Sequence, residues 1–115
     1  MPGTNFVSLQ TARDMATAYR SQKENMLKTN LQNQGILPIC ETFGRAAFDT
    51  ILSDSAVQKI RIYLCLGTDN KVRIMAVGVN ANNEDMLPSG TEDKIIEDGQ
   101  RCPDQCPPPS ALNGF

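Results

Sequence analysis

The stretch from Val57 to Val79 constrains the fold most, because it contains two runs with strand periodicity separated by a short polar segment. Apolar side chains occupy every second position of the first run, at Ile60, Ile62, Leu64 and Leu66. A period of two places them on one face of a strand, and Gly67 with the Asp-Asn pair after it is typical of a turn. The sequence therefore predicts a β-hairpin over residues 57–79, around which the other segments are arranged.

The loop of this hairpin is predicted at residues 68–70 (Thr-Asp-Asn). Three-residue loops are common in hairpins, and Asn70 tolerates the left-handed backbone conformation that one of their residues adopts. The resulting register places Leu66 opposite Val72, Leu64 opposite Ile74 and Ile62 opposite Ala76. A shift of one residue would bring Arg73 into the apolar row, so this register is favoured.

The second face of the hairpin mixes polar and apolar residues. Lys59, Arg61, Tyr63 and Cys65 lie across from Val79, Val77, Met75 and Arg73. A sheet exposed to water on one side shows sharper alternation, so we expect this face to be covered by the C-terminal tail, a second subunit or a partner. The predicted interaction surface consists of Tyr63, Met75, Val77 and Val79.

Two helices are predicted outside the hairpin. Ser8 is a plausible N-cap, and near-helical apolar spacing after it indicates one amphipathic helix over residues 8–28. Helical spacing from Ala47 to Leu52 predicts a short helix from Gly44 to Ser53. Residues 36–43 contain Pro38 and are interpreted as an edge strand or a loop, and residues 95–96 as a short strand or an apolar anchor.

The predicted fold class is α+β, with two helices packed on a small, mainly antiparallel sheet centred on the hairpin. Residues 1–115 form one domain, in which 94–115 are an extended, acidic, Cys- and Pro-rich tail, because consecutive prolines favour polyproline II. The alternative is a swapped or intertwined dimer in which the hairpin or tail completes a neighbour's sheet.

Charge and hydropathy limit the partners. The net charge of −2 argues against a general nucleic-acid binder, and no apolar run reaches the ~20 residues that cross a bilayer. Residues 1–80 carry a net charge of +3 and residues 81–115 a net charge of −5, which predicts an acidic tail that lies against a basic body or is simply solvated. We predict no nucleic-acid or membrane partner.

The absence of histidine restricts the chemistry. It removes the commonest general base near neutral pH and the commonest metal ligand, which excludes Ser-His and Cys-His catalysis. Phosphate-binding loops, dinucleotide-binding motifs and nucleophile elbows are also missing. No catalytic residue and no cofactor is predicted.

Cys102 and Cys106, in C-P-D-Q-C, form the one compact chemical motif. They could close a small disulfide, or supply two zinc ligands that Cys40 and Cys65 or a second chain would complete. The favoured interpretation is a pair of solvent-facing thiols. The N-terminus lacks the charged and apolar regions of a secretory signal, a pattern that a processed precursor would share. A cytoplasmic location with four reduced cysteines and no bound zinc is expected.

The order of elements resembles a known group of sequences. An N-terminal amphipathic helix, a short helix, RIYLCLG followed by KVRIMAVGVNANNED, and the ending IIEDGQRCPDQCPPP resemble small uncharacterised proteins of Bacteroidetes-type bacteria. The resemblance implies a bacterial source, but no activity and no functional residues. Asn80 stands where those proteins carry Asp, which argues against a carboxylate site there.

Three functions follow from these observations. The first is a non-catalytic interaction or assembly module that forms a homodimer or binds a protein partner. The alternative is a thiol-based metal-binding or redox protein that uses Cys102 and Cys106. An enzyme with a carboxylate or Tyr-based site ranks last, because no motif supports it.

Overall fold

The structure is a computed structural model, and it describes residues 5–115. Its helices are α1 (Leu9–Gln22) and α2 (Arg45–Leu52), and its strands are β1 (Cys40–Thr42), β2 (Lys59–Leu66), β3 (Val72–Val79), β4 (Ile95–Ile96) and β5 (Gln100–Cys102). One antiparallel sheet has the order β2-β3-β4, and a second sheet pairs β1 with β5. The fold is α+β, as predicted.

The β2-β3 hairpin has the predicted register. Leu66 pairs with Val72, Leu64 with Ile74 and Ile62 with Ala76. Asn70 in the loop has a φ of 62°, the left-handed conformation expected of it. The Ile95-Ile96 pair forms β4 against Ala76 and Val77, so the strand interpretation of this pair is confirmed.

Helix α2 packs on the sheet. Ile51 of α2 forms a buried cluster with Ala76 and Ile96, and the partly buried residues around it are Phe43, Ala47, Phe48, Val57 and Ile60. A Cβ atom at Gly78 would lie 2.9 Å from Val57 and 3.2 Å from Ile51. The small residues of β3 therefore allow the close approach of α2, as the sequence indicates.

Helix α1 is shorter and more exposed than expected. Ser8 caps it by accepting a hydrogen bond from the Thr11 N–H (3.1 Å), but the helix ends at Gln22 instead of continuing to residue 28. Two single 3-10 turns follow, because the Glu24 carboxylate accepts from the Asn33 N–H at 2.5 Å and folds the chain back. The helix has no buried residue.

The C-terminal tail packs against the rest of the protein. The tail residue that makes the buried polar contacts is Arg101, a cation, whereas the sequence predicts contacts through the tail's carboxylates. Arg101 is 6 % exposed and donates to the carbonyls of Val72, Gly35 and Ile36 at 2.7 Å each. Residues 100–102 belong to β5, and a turn follows, so the prediction of a continuously extended tail is wrong. The reason is the turn at 103–105, where the Gln105 N–H donates to the Arg101 carbonyl at 2.8 Å and the Cys102–Cys106 disulfide joins the two ends.

Candidate functional site

The predicted interaction surface lies largely inside the protein. Val77 and Val79 are 2 % and 1 % exposed, and Met75 is half-buried, while Tyr63 remains 38 % exposed. Val77 and Val79 are therefore covered within the single chain, so they are not available as part of the predicted interaction surface. The physical reason is that β3 is the central strand of the sheet, with β2 on one side and β4 on the other.

The hydroxyl of Tyr63 belongs to a polar cluster at the rim of this face. Its hydroxyl donates to Asp85, and Arg61 forms an ion pair with the same carboxylate at 2.6 Å. The Tyr63 hydroxyl and then the Arg61 guanidinium hold the pKa of Asp85 below its usual value. The carboxylate in turn raises the pKa of the Tyr63 hydroxyl. These contacts tie the loop after β3 to β2.

The open apolar surface is instead the row predicted as core. Ile62, Leu64 and Leu66 of β2 are 54 %, 76 % and 63 % exposed. They lie on the face of the sheet to which α2 binds, but α2 spans eight residues and covers the end near Ile60 and Gly78. We call these three residues the β2 row.

The backbone of the β2 row faces away from β3. The Gly67 N–H bonds the Lys71 carbonyl, and hydrogen-bonded pairs alternate with non-bonded pairs in an antiparallel ladder. The alternation therefore directs the N–H and C=O groups of Ile62, Leu64 and Leu66 to the outer edge. Among residues 5–115, no strand pairs with that edge.

The opposite edge of the hairpin is fully engaged. Along β3, the Val72 N–H donates to the Ile36 carbonyl at 2.8 Å, and the Ile74 N–H donates to the Glu41 carboxylate at 2.6 Å. Ala76 pairs with Ile96 of β4. Within the described part of the chain, the edge strands of this sheet are β4, which has two residues, and β2, which has eight and carries the β2 row.

The cysteines are arranged differently from the prediction. Cys102 and Cys106 are joined by a disulfide, so the expectation of four reduced thiols is wrong for these two. Cys102 has no exposed surface, whereas Cys106 is exposed. The turn at 103–105 brings the two residues together with a Cα–Cα distance of 4.5 Å, which falls in the range of disulfides.

Cys40 and Cys65 carry thiols and are half-buried. Cys40 is the cross-strand partner of Cys102, while Cys65 lies opposite Arg73 on the other sheet. The zinc hypothesis grouped Cys40 with Cys102, but the strand pairing that places them opposite each other could not be predicted, because residues 36–43 are interpreted only as an edge strand or a loop. Residues 5–115 contain no group of three His, Cys, Asp or Glu side chains that could hold a metal ion.

A polar cavity of about 700 Å³ lies between the hairpin loop and the tail. Its lining includes Asp69, whose pKa is lowered by the Lys71 N–H and by Arg73, which pairs with it at 2.9 Å. A carboxylate stabilised in this way is a poor general base. Arg101 also lines the cavity, but its donors are used by backbone carbonyls.

Comparison with protein-family models, curated proteins and solved structures returns no match. In the part of the chain that the structure describes, no helix has the length and apolar character needed to cross a membrane. The site must accordingly be interpreted from its own geometry.

Proposed function

We propose that this protein is a non-catalytic assembly module that forms a homodimer by pairing β2 with β2 of a second copy. The observation that supports this function is the coincidence of exposed apolar side chains and an available strand edge in one segment, Ile62 to Leu66. Either feature alone is common. Together they match strand addition, in which main-chain hydrogen bonds give affinity and apolar side chains give fit.

Symmetry favours a second copy as the partner. Two copies of one strand that pair antiparallel are related by a two-fold axis, so the β2 row packs against itself. No charged residue or proline follows Arg61 in β2, and such residues are the usual protection of an edge strand. The pairing would join two three-stranded sheets into one sheet.

The exposed area also supports association. The chain exposes 8219 Å². A compact monomer of this mass would expose about 6,200 Å², so about 2,000 Å² is available beyond that expectation. Stable interfaces bury about 1,200–2,000 Å² summed over both partners. A dimer interface would therefore use only part of this excess.

The test is Leu64→Lys, with Leu52→Lys as the matched control. Leu64 is 76 % exposed and Leu52 is 56 % exposed, so neither substitution should lower the stability of the single folded chain by much. Light scattering should give a dimer for the unaltered protein and for Leu52→Lys, but a monomer for Leu64→Lys. Equal masses for all three proteins would contradict the proposal.

The second candidate function is a thiol-based redox role, which the disulfide between Cys102 and Cys106 supports. Both sulfur atoms of Cys102 and Cys106 are bonded to each other, so zinc binding by this pair would require prior reduction. Disulfides persist in oxidising compartments, which makes the bond a test of the cytoplasmic location. Thiol alkylation in intact cells of the source would show a reduced pair if that location is correct.

A further inference from the structure

We propose that Cys40, Cys102 and Cys106 form a thiol–disulfide exchange centre with two alternative pairings, Cys102–Cys106 and Cys40–Cys102. The inference deepens the redox candidate, on which it rests, and is independent of dimer formation. It is carried by the position of Cys40, which is reduced and stands directly opposite the bonded Cys102 in the β1-β5 sheet.

The spacing of paired strands suits the second bond. Directly opposite residues in an antiparallel pair have Cα atoms about 4.5–5.5 Å apart, and their side chains lie on the same face. Disulfides span Cα distances of about 4.4–6.8 Å. Cys40 and Cys102 therefore meet the backbone requirement without a change of register.

Burial decides which sulfur each nucleophile reaches. Cys102 has no exposed surface, so a thiol from solvent cannot approach its sulfur, whereas its strand partner Cys40 can. Cys106 is exposed, and its sulfur can leave into water. An internal attack at Cys102 is thus favoured by access, while external thiols are directed to Cys106.

The exchange is balanced without an added oxidant. The Cys40 thiol loses its proton to solvent, and the resulting thiolate attacks the Cys102 sulfur. The S–S bond between Cys102 and Cys106 breaks as the bond between Cys40 and Cys102 forms. The electron pair of the broken bond stays on the Cys106 sulfur, which takes a proton from water. One disulfide and one thiol are present before and after the step.

The two pairings constrain different parts of the fold. The Cys102–Cys106 bond closes a turn within the tail, with a sequence separation of four residues. A Cys40–Cys102 bond would instead join β1 to β5 across the second sheet. Exchange would release an exposed Cys106 thiol, which is the group that could form a mixed disulfide with a thiol-bearing partner.

The experiment uses the full chain, purified without reductant and held at about pH 8, where part of a free thiol is ionised. Iodoacetamide then traps the thiols, and peptide mapping by mass spectrometry identifies the linkages. We expect a fraction with alkylated Cys106 and a Cys40–Cys102 bond. In Cys40→Ser this fraction should disappear, and in Cys65→Ser it should be unchanged. Complete retention of the Cys102–Cys106 bond with alkylated Cys40 would overturn the proposal.

A second variant removes the competing partner. In Cys106→Ser, oxidised glutathione should drive formation of the Cys40–Cys102 bond within one chain. A glutathione adduct on Cys102 beside a reduced Cys40 would contradict the exchange geometry. Should this variant fail to fold, the trapping experiment on the unaltered protein decides. A different result would contradict the redox candidate on which the proposal rests. In that case the Cys102–Cys106 bond would resist reduction by dithiothreitol in the folded protein.

Discussion

Strands β2 and β3 are neighbours with eight residues each, yet they differ sharply in burial. From Ala76 to Val79, β3 is buried without interruption, whereas β2 exposes Ile62, Leu64 and Leu66. Both strands are rich in apolar residues. The difference arises from position, since β3 has a neighbour on each side and β2 has only one. Apolar side chains at an unpaired edge indicate that the sheet is incomplete, and the proposed dimer completes it.

The strongest test of this comparison places the same charge on each strand. Val77→Lys would bury an ammonium group at a position that is 2 % exposed, whereas Leu64→Lys adds a charge at a position that is 76 % exposed. We expect Val77→Lys to prevent folding, because desolvating an unpaired charge costs several kcal/mol. Circular dichroism should show lost secondary structure for Val77→Lys and a native spectrum for Leu64→Lys.

A folded, monomeric Val77→Lys protein would instead restore the sequence-based interpretation of this face as an interaction surface. In that case the burial of β3 would not be a property of the single chain.

The next test removes the hydrogen bonds by which Arg101 holds the tail and the segment around Ile36 against β3. Arg101 donates to the Val72 carbonyl and to the Ile36 carbonyl, which also accepts from the Val72 N–H. Arg101→Met keeps the aliphatic length but leaves these buried carbonyls without their donor, which should cost about 1–3 kcal/mol. Thermal unfolding should show a lower midpoint, and Arg45→Met, at an exposed ion pair, is the matched control. Equal midpoints for the two variants would show that the tail is not held by Arg101.

A smaller effect is expected from the turn that precedes β4. The backbone N–H groups of Glu92 itself and of Ser89, the Ser89 hydroxyl and the Gly90 N–H lower the pKa of Glu92 from 4.5 to about 2. A depressed folded-state pKa contributes stability that is present above the unfolded value and lost as pH falls through the folded value. Between about pH 4.5 and 2, the unaltered protein should therefore lose slightly more stability than Glu92→Gln. Identical pH profiles would contradict the hydrogen bonding of this turn.

Local patterns in the sequence predict the local elements of this fold. The hairpin register, the Asn70 turn and the short helix α2 follow from spacing, because each depends on residues close in the chain. The errors concern pairs that are distant in sequence. Composition could not show that Ile36, Glu41 and Ile96 engage the outer edge of β3, so the sequence did not predict that β3 is buried while Ile62, Leu64 and Leu66 of β2 stay exposed.

The cysteine motif shows the same limit. The spacing of Cys102 and Cys106 allowed a disulfide, but the choice between bond and thiols depends on a turn that the sequence did not reveal. Arg101, the residue that anchors the tail, entered the sequence-based account only as a charge. Its position immediately before Cys102, as one of two cations in the acidic segment 81–115, was the available signal.

Amide hydrogen exchange along β2 directly tests whether this strand pairs with β2 of a second copy. The N–H groups of Ile62, Leu64 and Leu66 point to the outer edge, where no strand among residues 5–115 pairs with them. Pairing with a second copy should protect these amides, and the protection should increase with protein concentration while the inward Tyr63 amide changes little. Rapid exchange of the three amides at every concentration would show that β2 remains an open edge and that the proposed assembly does not form.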